Sequence, residues 1–242
     1  MHKMIKILKR AKKIGFCSAV IVAAGSSTRF GEDKLMAALF GKTVLEHSLL
    51  AFENCERVDE IILVTKTEAL EETAGYCAGL GLKKLKGVVC GGAERVHSAL
   101  AGVSETDRRA GMILIHDAAR PLVTGDAIEK MIDAIEEGRV AACPAISARD
   151  TIRETKNGKT RTLTRAELCA VQTPQAFDAD IIKAALTRAV RSGETHTDDC
   201  AAAEAMGVPI FIVSGDEENI KITTATDLSV AKAILEQRRM RN

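Results

Sequence analysis

Short apolar runs that alternate with stretches of helical spacing constrain this chain more than any other feature of its sequence. The runs fall at 18–23, 60–65, 85–90, 112–116, 140–146 and 209–213. Between and after them the period of apolar residues predicts helices at 44–54, 68–80, 93–103, 126–137, 179–191, 198–206 and 226–239. Strands too apolar to show one wet face, joined through helices by short Gly-punctuated connections, imply an α/β fold. The expected architecture is a mostly parallel, Rossmann-like sheet flanked by helices. A chain of 242 residues can bury one sizeable core. The reading is therefore a single domain over 17–242, preceded by an N-terminal extension at 1–16.

One segment interrupts the rhythm. Residues 149–167 are polar, Thr-rich and charged, with Asn157-Gly158 at their middle. Asn-Gly between extended flanks signals a hairpin, so a β-arm is expected to project from the sheet. An isolated two-stranded arm needs a surface to pack on, which points to a homodimer. The extension at 1–16 sets Met4, Ile5 and Leu8 among many Lys and Arg residues. That pattern suits a short amphipathic helix at a membrane surface, but the favoured reading is a solvated or loosely docked extension.

Charge narrows the class of partner. Positive and negative residues nearly cancel, to a formal +1, so no global field attracts nucleic acid, and an anionic ligand must be held by cations placed locally. No run approaches the apolar length of a membrane span, and no membrane association is expected. Cys17, Cys55, Cys77, Cys90, Cys143, Cys169 and Cys200 form no C-x-x-C pair. This argues against a zinc site and a disulfide framework, and suits reduced thiols in a cytoplasmic protein.

The first strand leads into a loop of small residues at Ala23-Ala24-Gly25-Ser26-Ser27, followed by Arg29 and Lys34. In open α/β sheets ligands bind beyond the carboxyl ends of the strands, where this loop falls. Gly25 permits close approach of the backbone, the amides of 24–27 can donate to phosphate oxygens, and Arg29 and Lys34 add full charges. The G-x-x-x-R-x-x-x-x-K spacing is neither the P-loop pattern nor the G-x-G-x-x-G fingerprint, which disfavours a GTPase or a dehydrogenase.

Taken with the segments that follow, this loop resembles that of a known enzyme family. Those segments are Gly91-Gly-Ala-Glu-Arg-Val-His-Ser98, His116-Asp-Ala-Ala-Arg-Pro121, Arg149-Asp-Thr151, Gln172-Thr-Pro-Gln175, Thr197-Asp-Asp199 and Asn219-Ile-Lys-Ile-Thr223. In this order they are similar to the methylerythritol phosphate cytidylyltransferases, from about Cys17 to Leu235. The resemblance implies a nucleotidyltransferase-type fold, CTP and a sugar-alcohol phosphate as substrates, and Mg²⁺ or another divalent cation as cofactor. The product would be 4-diphosphocytidyl-2-C-methyl-D-erythritol, in the non-mevalonate route to isoprenoid precursors. Some relatives carry a second, cyclase domain, and the expectation here is none.

Residue by residue, the resemblance places Ala23, Ala24, Gly25, Ser26, Arg29, Lys34, Gly92, Ser98 and Asp117 at CTP, with Arg95 bracing the loop. It places Asp117, Arg120, Thr173, Thr197 and Lys221 at the acceptor, with Thr151 and Arg165 reaching it from the neighbouring subunit. Arg29, Lys34 and Lys221 are the expected catalytic cations. Two anions must meet in this reaction, and fixed cations can offset their repulsion and the charge that builds on the reacting phosphoryl group. Asp117, at the end of an apolar strand, is the candidate metal ligand, since a hard cation selects oxygen donors beside phosphates. His116 is read as structural, because a phosphate monoester is already an anionic nucleophile. Thr173 precedes Pro174 and is held extended, which aims its hydroxyl.

Two positions depart from the family pattern. Ala93 stands where many relatives carry an acid, and Lys34 follows Asp33, whose charge is expected to weaken its pull on phosphate. The competing readings are a ribitol 5-phosphate cytidylyltransferase, which shares much of the pattern, and a non-catalytic nucleotide-binding protein that has kept the fold. The second is disfavoured by the presence of both Lys34 and Lys221.

Overall fold

The computed structural model describes residues 15–25 and 33–241. Ser26, Arg29 and nearly all of the basic extension lie outside the described residues. The chain begins with β1 (Cys17–Val22), β2 (Ala38–Leu39), β3 (Lys42–Thr43), α1 (Val44–Glu53), β4 (Glu60–Thr65), α2 (Leu70–Ala78) and β5 (Leu85–Cys90). It continues through α3 (Arg95–Ser104), β6 (Met112–Asp117), α4 (Gly125–Glu136), β7 (Ala141–Ser147), β8 (Arg153–Lys156) and β9 (Lys159–Thr162). Last come β10 (Cys169–Val171), β11 (Gln175–Asp178), α5 (Ala179–Ser192), α6 (Asp199–Glu204), β12 (Phe211–Ser214) and α7 (Ala225–Arg241).

The main sheet is mostly parallel. β1 lies between β4 and β6, and β5 extends the β4 edge, all with parallel pairing. β11 runs antiparallel between β6 and β7. β10 continues along the same side of β7, and β12 pairs with β7 in parallel. The predicted strands are all present to within a residue or two. β10 and β11 were not expected, because each is only three or four residues long and Thr173-Pro174 separates them, too little chain to show a strand period.

Alternation within the central strands divides the core into two layers. Ile21, Ile61, Leu63 and Leu114 face a cluster that includes Leu45, Leu49 and Phe52 of α1 and Met131 of α4. Val20, Ile62, Val64 and Ile113 face the opposite cluster, with Val96 and Val103 of α3 and Ile182 and Leu186 of α5. Successive side chains of a strand point to opposite faces, so a strand covered on both reads as one apolar run. Helix α3 packs close enough that a Cβ on Gly102 would meet Val20 Cγ1 at 2.4 Å and Val64 Cγ2 at 2.5 Å.

Capping follows the sequence. Thr43 accepts from the Glu46 amide at the start of α1, Thr124 from Ala127 before α4, and Asp198 from Ala201 before α6. Gly193 ends α5 in the left-handed region at φ 68°. The expected hairpin is present: β8 and β9 pair antiparallel around Asn157-Gly158, and every residue of both strands is exposed.

Candidate active site

A cavity of about 420 Å³ lies at the carboxyl ends of β1, β4, β5 and β6. Backbone hydrogen bonds hold those ends together: the Ala23 amide donates to the Val64 carbonyl, Gly91 to Thr65, and Ala118 to Val22. Ala23, Ala24 and Gly25 form one wall, and Gly92 and Ser98 form another. Asp117, Lys34 and Lys221 complete it, so charges distant in the chain share one space.

The Gly91-Gly92 turn needs its glycines. A Cβ on Gly91 would meet Ala24 Cβ and Ser98 Oγ, each at 2.6 Å, and one on Gly92 would meet His97 Cβ at 2.4 Å. Ser98 Oγ accepts from the Gly92 amide at 3.2 Å and pins the turn to the first turn of α3. Lys34 stands in the turn at 34–36, where Asp33 Oδ1 accepts from the Leu35 amide at 3.0 Å. The Asp33 carboxylate thus shapes the turn that carries Lys34.

Asp117 ends β6 between two cations. Lys221 Nζ donates to its Oδ2 at 2.7 Å and Arg95 Nη2 to its Oδ1 at 3.2 Å. Burial alone would raise the Asp117 pKa, but Arg95, Lys221 and Arg120 outweigh it and hold the carboxyl well below the usual range. Arg95 forks onto the buried Asp199, at 2.7 Å to each oxygen. Burial would lower the Arg95 pKa, and Asp199 and Asp117 push it up instead. Burial pushes the Asp199 carboxyl up, against the pull of Arg95. The guanidinium therefore joins two carboxylates rather than bracing the glycine turn as expected. Asp199, in the Thr-Asp-Asp segment, had no role in the sequence reading; a buried arginine's need for a carboxylate fork was the available signal.

The segment carrying Lys221 is lashed to the turn after β6. The Ile222 amide donates to the Ala119 carbonyl at 2.8 Å. Arg120 Nη1 donates to the Asn219 carbonyl at 2.8 Å, and Asn219 Nδ2 to the Thr173 carbonyl at 2.9 Å. Asp227 accepts from the Thr223 amide and hydroxyl and the Thr224 amide, which fixes the other end. His116 stands inside this knot, fully buried against Phe52, and burial holds its pKa down at about 4. The ring is neutral: Nε2 faces the Arg120 carbonyl at 3.2 Å and Nδ1 the Thr173 hydroxyl at 3.0 Å. The same hydroxyl accepts from the Asp117 amide at 3.0 Å. Thr173 is 4% exposed, so the hydroxyl that the sequence aimed at the acceptor is turned inward and steadies Asp117.

The remaining acceptor candidates do not line the cavity. Arg120 spends its guanidinium on backbone carbonyls, and Thr197 is exposed just before the Asp198 cap. Thr151 and Arg165 are exposed beside the hairpin, with Arg165 Nη1 donating to the Arg149 carbonyl at 3.2 Å. Lys66, which the sequence reading passed over, borders the cavity at the end of β4. Its place directly after an apolar run was the signal. A larger cleft of about 720 Å³ lies against residues 213–219; Gln172 and Asn219 of the quoted segments line it, but none of the residues assigned to CTP, acceptor or metal does. Its Arg238 is already paired with Glu218 at 2.7 Å, so the smaller, cation-lined cavity is the candidate site.

Residues 17–237 match the model of the IspD family, described as 2-C-methyl-D-erythritol 4-phosphate cytidylyltransferase. A protein of that name from Dictyoglomus thermophilum is 37% identical over 219 residues, covering 89% of this chain and 95% of the relative. One from Caldanaerobacter subterraneus is 40% identical over 227 residues, covering 90% of this chain and 98% of the relative. Among solved structures, 4-diphosphocytidyl-2C-methyl-D-erythritol synthase from Anaerococcus prevotii superposes with a TM-score of 0.82 at 29% identity, covering 95% of this chain and 99% of that one.

Proposed function

The chain belongs to the 2-C-methyl-D-erythritol 4-phosphate cytidylyltransferase family, and from that membership we propose how its residues divide the work. It transfers CMP from CTP to 2-C-methyl-D-erythritol 4-phosphate, giving 4-diphosphocytidyl-2-C-methyl-D-erythritol and pyrophosphate. An oxygen of the acceptor phosphate bonds to the α-phosphorus of CTP as the bond from that phosphorus to the bridging oxygen breaks, and pyrophosphate carries the electron pair away. The observation that carries the assignment is that Lys34 and Lys221 border one cavity with the Gly92-Ser98 turn and Asp117.

In this reading Ala23, Ala24, Gly92 and Ser98 hold the nucleoside, and backbone amides from Gly25 onward receive the triphosphate. Arg29, Lys34 and Lys221 offset the repulsion between nucleophile and electrophile and stabilise the charge at the reacting phosphorus. Asp117 keeps Lys221 at its station by a 2.7 Å contact. Nothing in the site needs to take a proton from the nucleophile, and His116 is too deeply buried to do so.

Asp117 suits a divalent ion as well, being an ionised hard-oxygen donor at the cavity wall. Among the described residues no group of three or more potential ligands exists, so a Mg²⁺ ion held by Asp117 would complete its shell with phosphate oxygens and water. Such an ion would neutralise phosphate charge and favour departure of pyrophosphate. A homodimer joined through the hairpin is supported by the full exposure of β8 and β9 and by Ile152 and Val171, which are 41% and 42% exposed. Thr151 and Arg165 lie outside their own chain's cavity and would serve the partner's. The seven free cysteines accord with a cytoplasmic enzyme, and no helix among the described residues is long and apolar enough to cross a membrane.

Pyrophosphate release from CTP with and without the acceptor tests the reaction, with ATP, GTP and UTP substituted in turn and ribitol 5-phosphate as the rival acceptor. Release that depends on both CTP and methylerythritol phosphate is expected. Equal turnover of ribitol 5-phosphate, or none with either acceptor, would overturn it.

A further inference from the structure

We propose that Lys66 is a nucleotide-binding residue whose ammonium group donates to an acceptor oxygen of the nucleoside half of CTP. The inference rests on the reading of the cavity as the CTP site. Lys66 is the first residue beyond β4 and borders the cavity together with Gly92, Ala93 and Ser98. Its backbone, at φ −70° and ψ 152°, is still extended before the 3-10 turn at 67–69. The alternation of β4 therefore carries through it. Ile62 and Val64 face the layer that contains α3, while Thr65 turns the other way to meet Thr73 of α2. Lys66, two residues beyond Val64, shares their side. It borders the cavity beside α3, whose first turn and preceding glycines carry the base-reading groups of the proposed site, and it also borders a smaller pocket beside Thr65 and Thr73.

Charge supports the same conclusion. Among the described residues no carboxylate pairs with Lys66, whereas Asp117 is shared by Arg95 and Lys221. Position separates its role from theirs. The sheet order places β1 between β6 and β4, so Lys66 stands two strand spacings, roughly 10 Å, from the Asp117 end where the phosphates react. A cation at that distance from the reacting phosphorus holds ground state and transition state alike, which changes KM and leaves kcat alone.

The test compares Lys66→Met, which keeps much of the side chain's bulk, with Lys66→Arg and the parent enzyme. Dissociation constants for CTP and CMP are measured without acceptor, alongside kcat and both KM values. For Lys66→Met, both dissociation constants and the KM for CTP are expected to rise by about tenfold. The kcat and the acceptor KM should stay within about twofold, and arginine should restore most of the affinity. An unchanged CTP affinity overturns the inference, as does a loss seen with CTP but not CMP, which would assign Lys66 to the outer phosphates. Parent enzyme that fails to bind CTP removes the reading of the cavity and this inference with it; parent enzyme that binds while Lys66→Met is unaltered removes this inference alone.

Discussion

Lys221 Nζ lies 2.7 Å from Asp117 Oδ2, although the two residues are 104 positions apart in the chain. The contact sets a cation at the cavity and keeps it there without substrate. Replacing Lys221 by alanine should lower pyrophosphate release at least about a hundredfold, near 3 kcal/mol of transition-state stabilisation. Lys221 is 41% exposed, so the thermal unfolding midpoint should hardly move. A variant with full turnover, or one that is unfolded, contradicts the assignment.

Arg95 and Asp199 predict a stability effect. Asp199→Asn keeps the shape but removes the charge of the buried fork partner, leaving the guanidinium only its longer, 3.2 Å contact with Asp117. Breaking a buried pair costs roughly 3 kcal/mol, which for a chain this long lowers Tm by about 6–12 °C. Differential scanning calorimetry reads it, and an unchanged Tm would mean that the fork carries no net stability.

Acid should weaken the fold through His116. Its folded pKa of about 4 lies below the ordinary value of 6.5, so between those values the unfolded chain binds a proton that the native chain does not. Stability is then lost as pH falls through that window, by about 2 kcal/mol between pH 7 and pH 5. Urea titrations should give a pH slope in this range that diminishes in His116→Gln, compared as slopes because the substitution itself shifts stability. An identical slope in the variant excludes the histidine as its source.

Gly91→Ala should act on nucleotide binding. The added Cβ would stand 2.6 Å from Ala24 Cβ and from Ser98 Oγ, forcing apart the two turns that face each other across the cavity. The KM for CTP should rise by about tenfold or more, with a smaller change in the acceptor KM. Steady-state kinetics with each substrate varied separates these outcomes.

The proposed dimer predicts complementation. If Arg165 serves the partner's site, a hybrid of one Lys221→Ala chain and one Arg165→Ala chain has one site with both defects and one with neither. Random pairing of equal amounts should then restore about a quarter of parental activity. Recovery no greater than the sum of the separate variants would place both residues in one subunit.

Much of this was legible in the chain itself. The apolar runs at β1, β4, β5 and β6 announce strands covered on both faces, and a sheet of that kind places ligands at its carboxyl edge. Lys34, Asp117 and Gly92 could therefore be assigned to one edge before any contact was known. The paired segments around Asp117 and Lys221 were also recognisable, because each must keep particular residues to lock onto the other. Asn157-Gly158 marked the hairpin, since few other pairs supply its positive backbone angles.

Other features depended on where distant segments met. β11 enters the sheet between β6 and β7 on backbone hydrogen bonds that leave no periodic mark in its sequence. Thr173 was assigned to the acceptor but turns inward, because the Asp117 amide and the His116 ring reach its hydroxyl first. Arg95 joins Asp117 to Asp199 only once α3 and the start of α6 approach. Lys66 looks like an ordinary lysine until its neighbours fill in around it. Local sequence encodes which backbone each segment adopts and which face it buries. The choice of partner for a polar group is settled by packing, since it depends on which donor and acceptor the fold brings within 3 Å after both have left water.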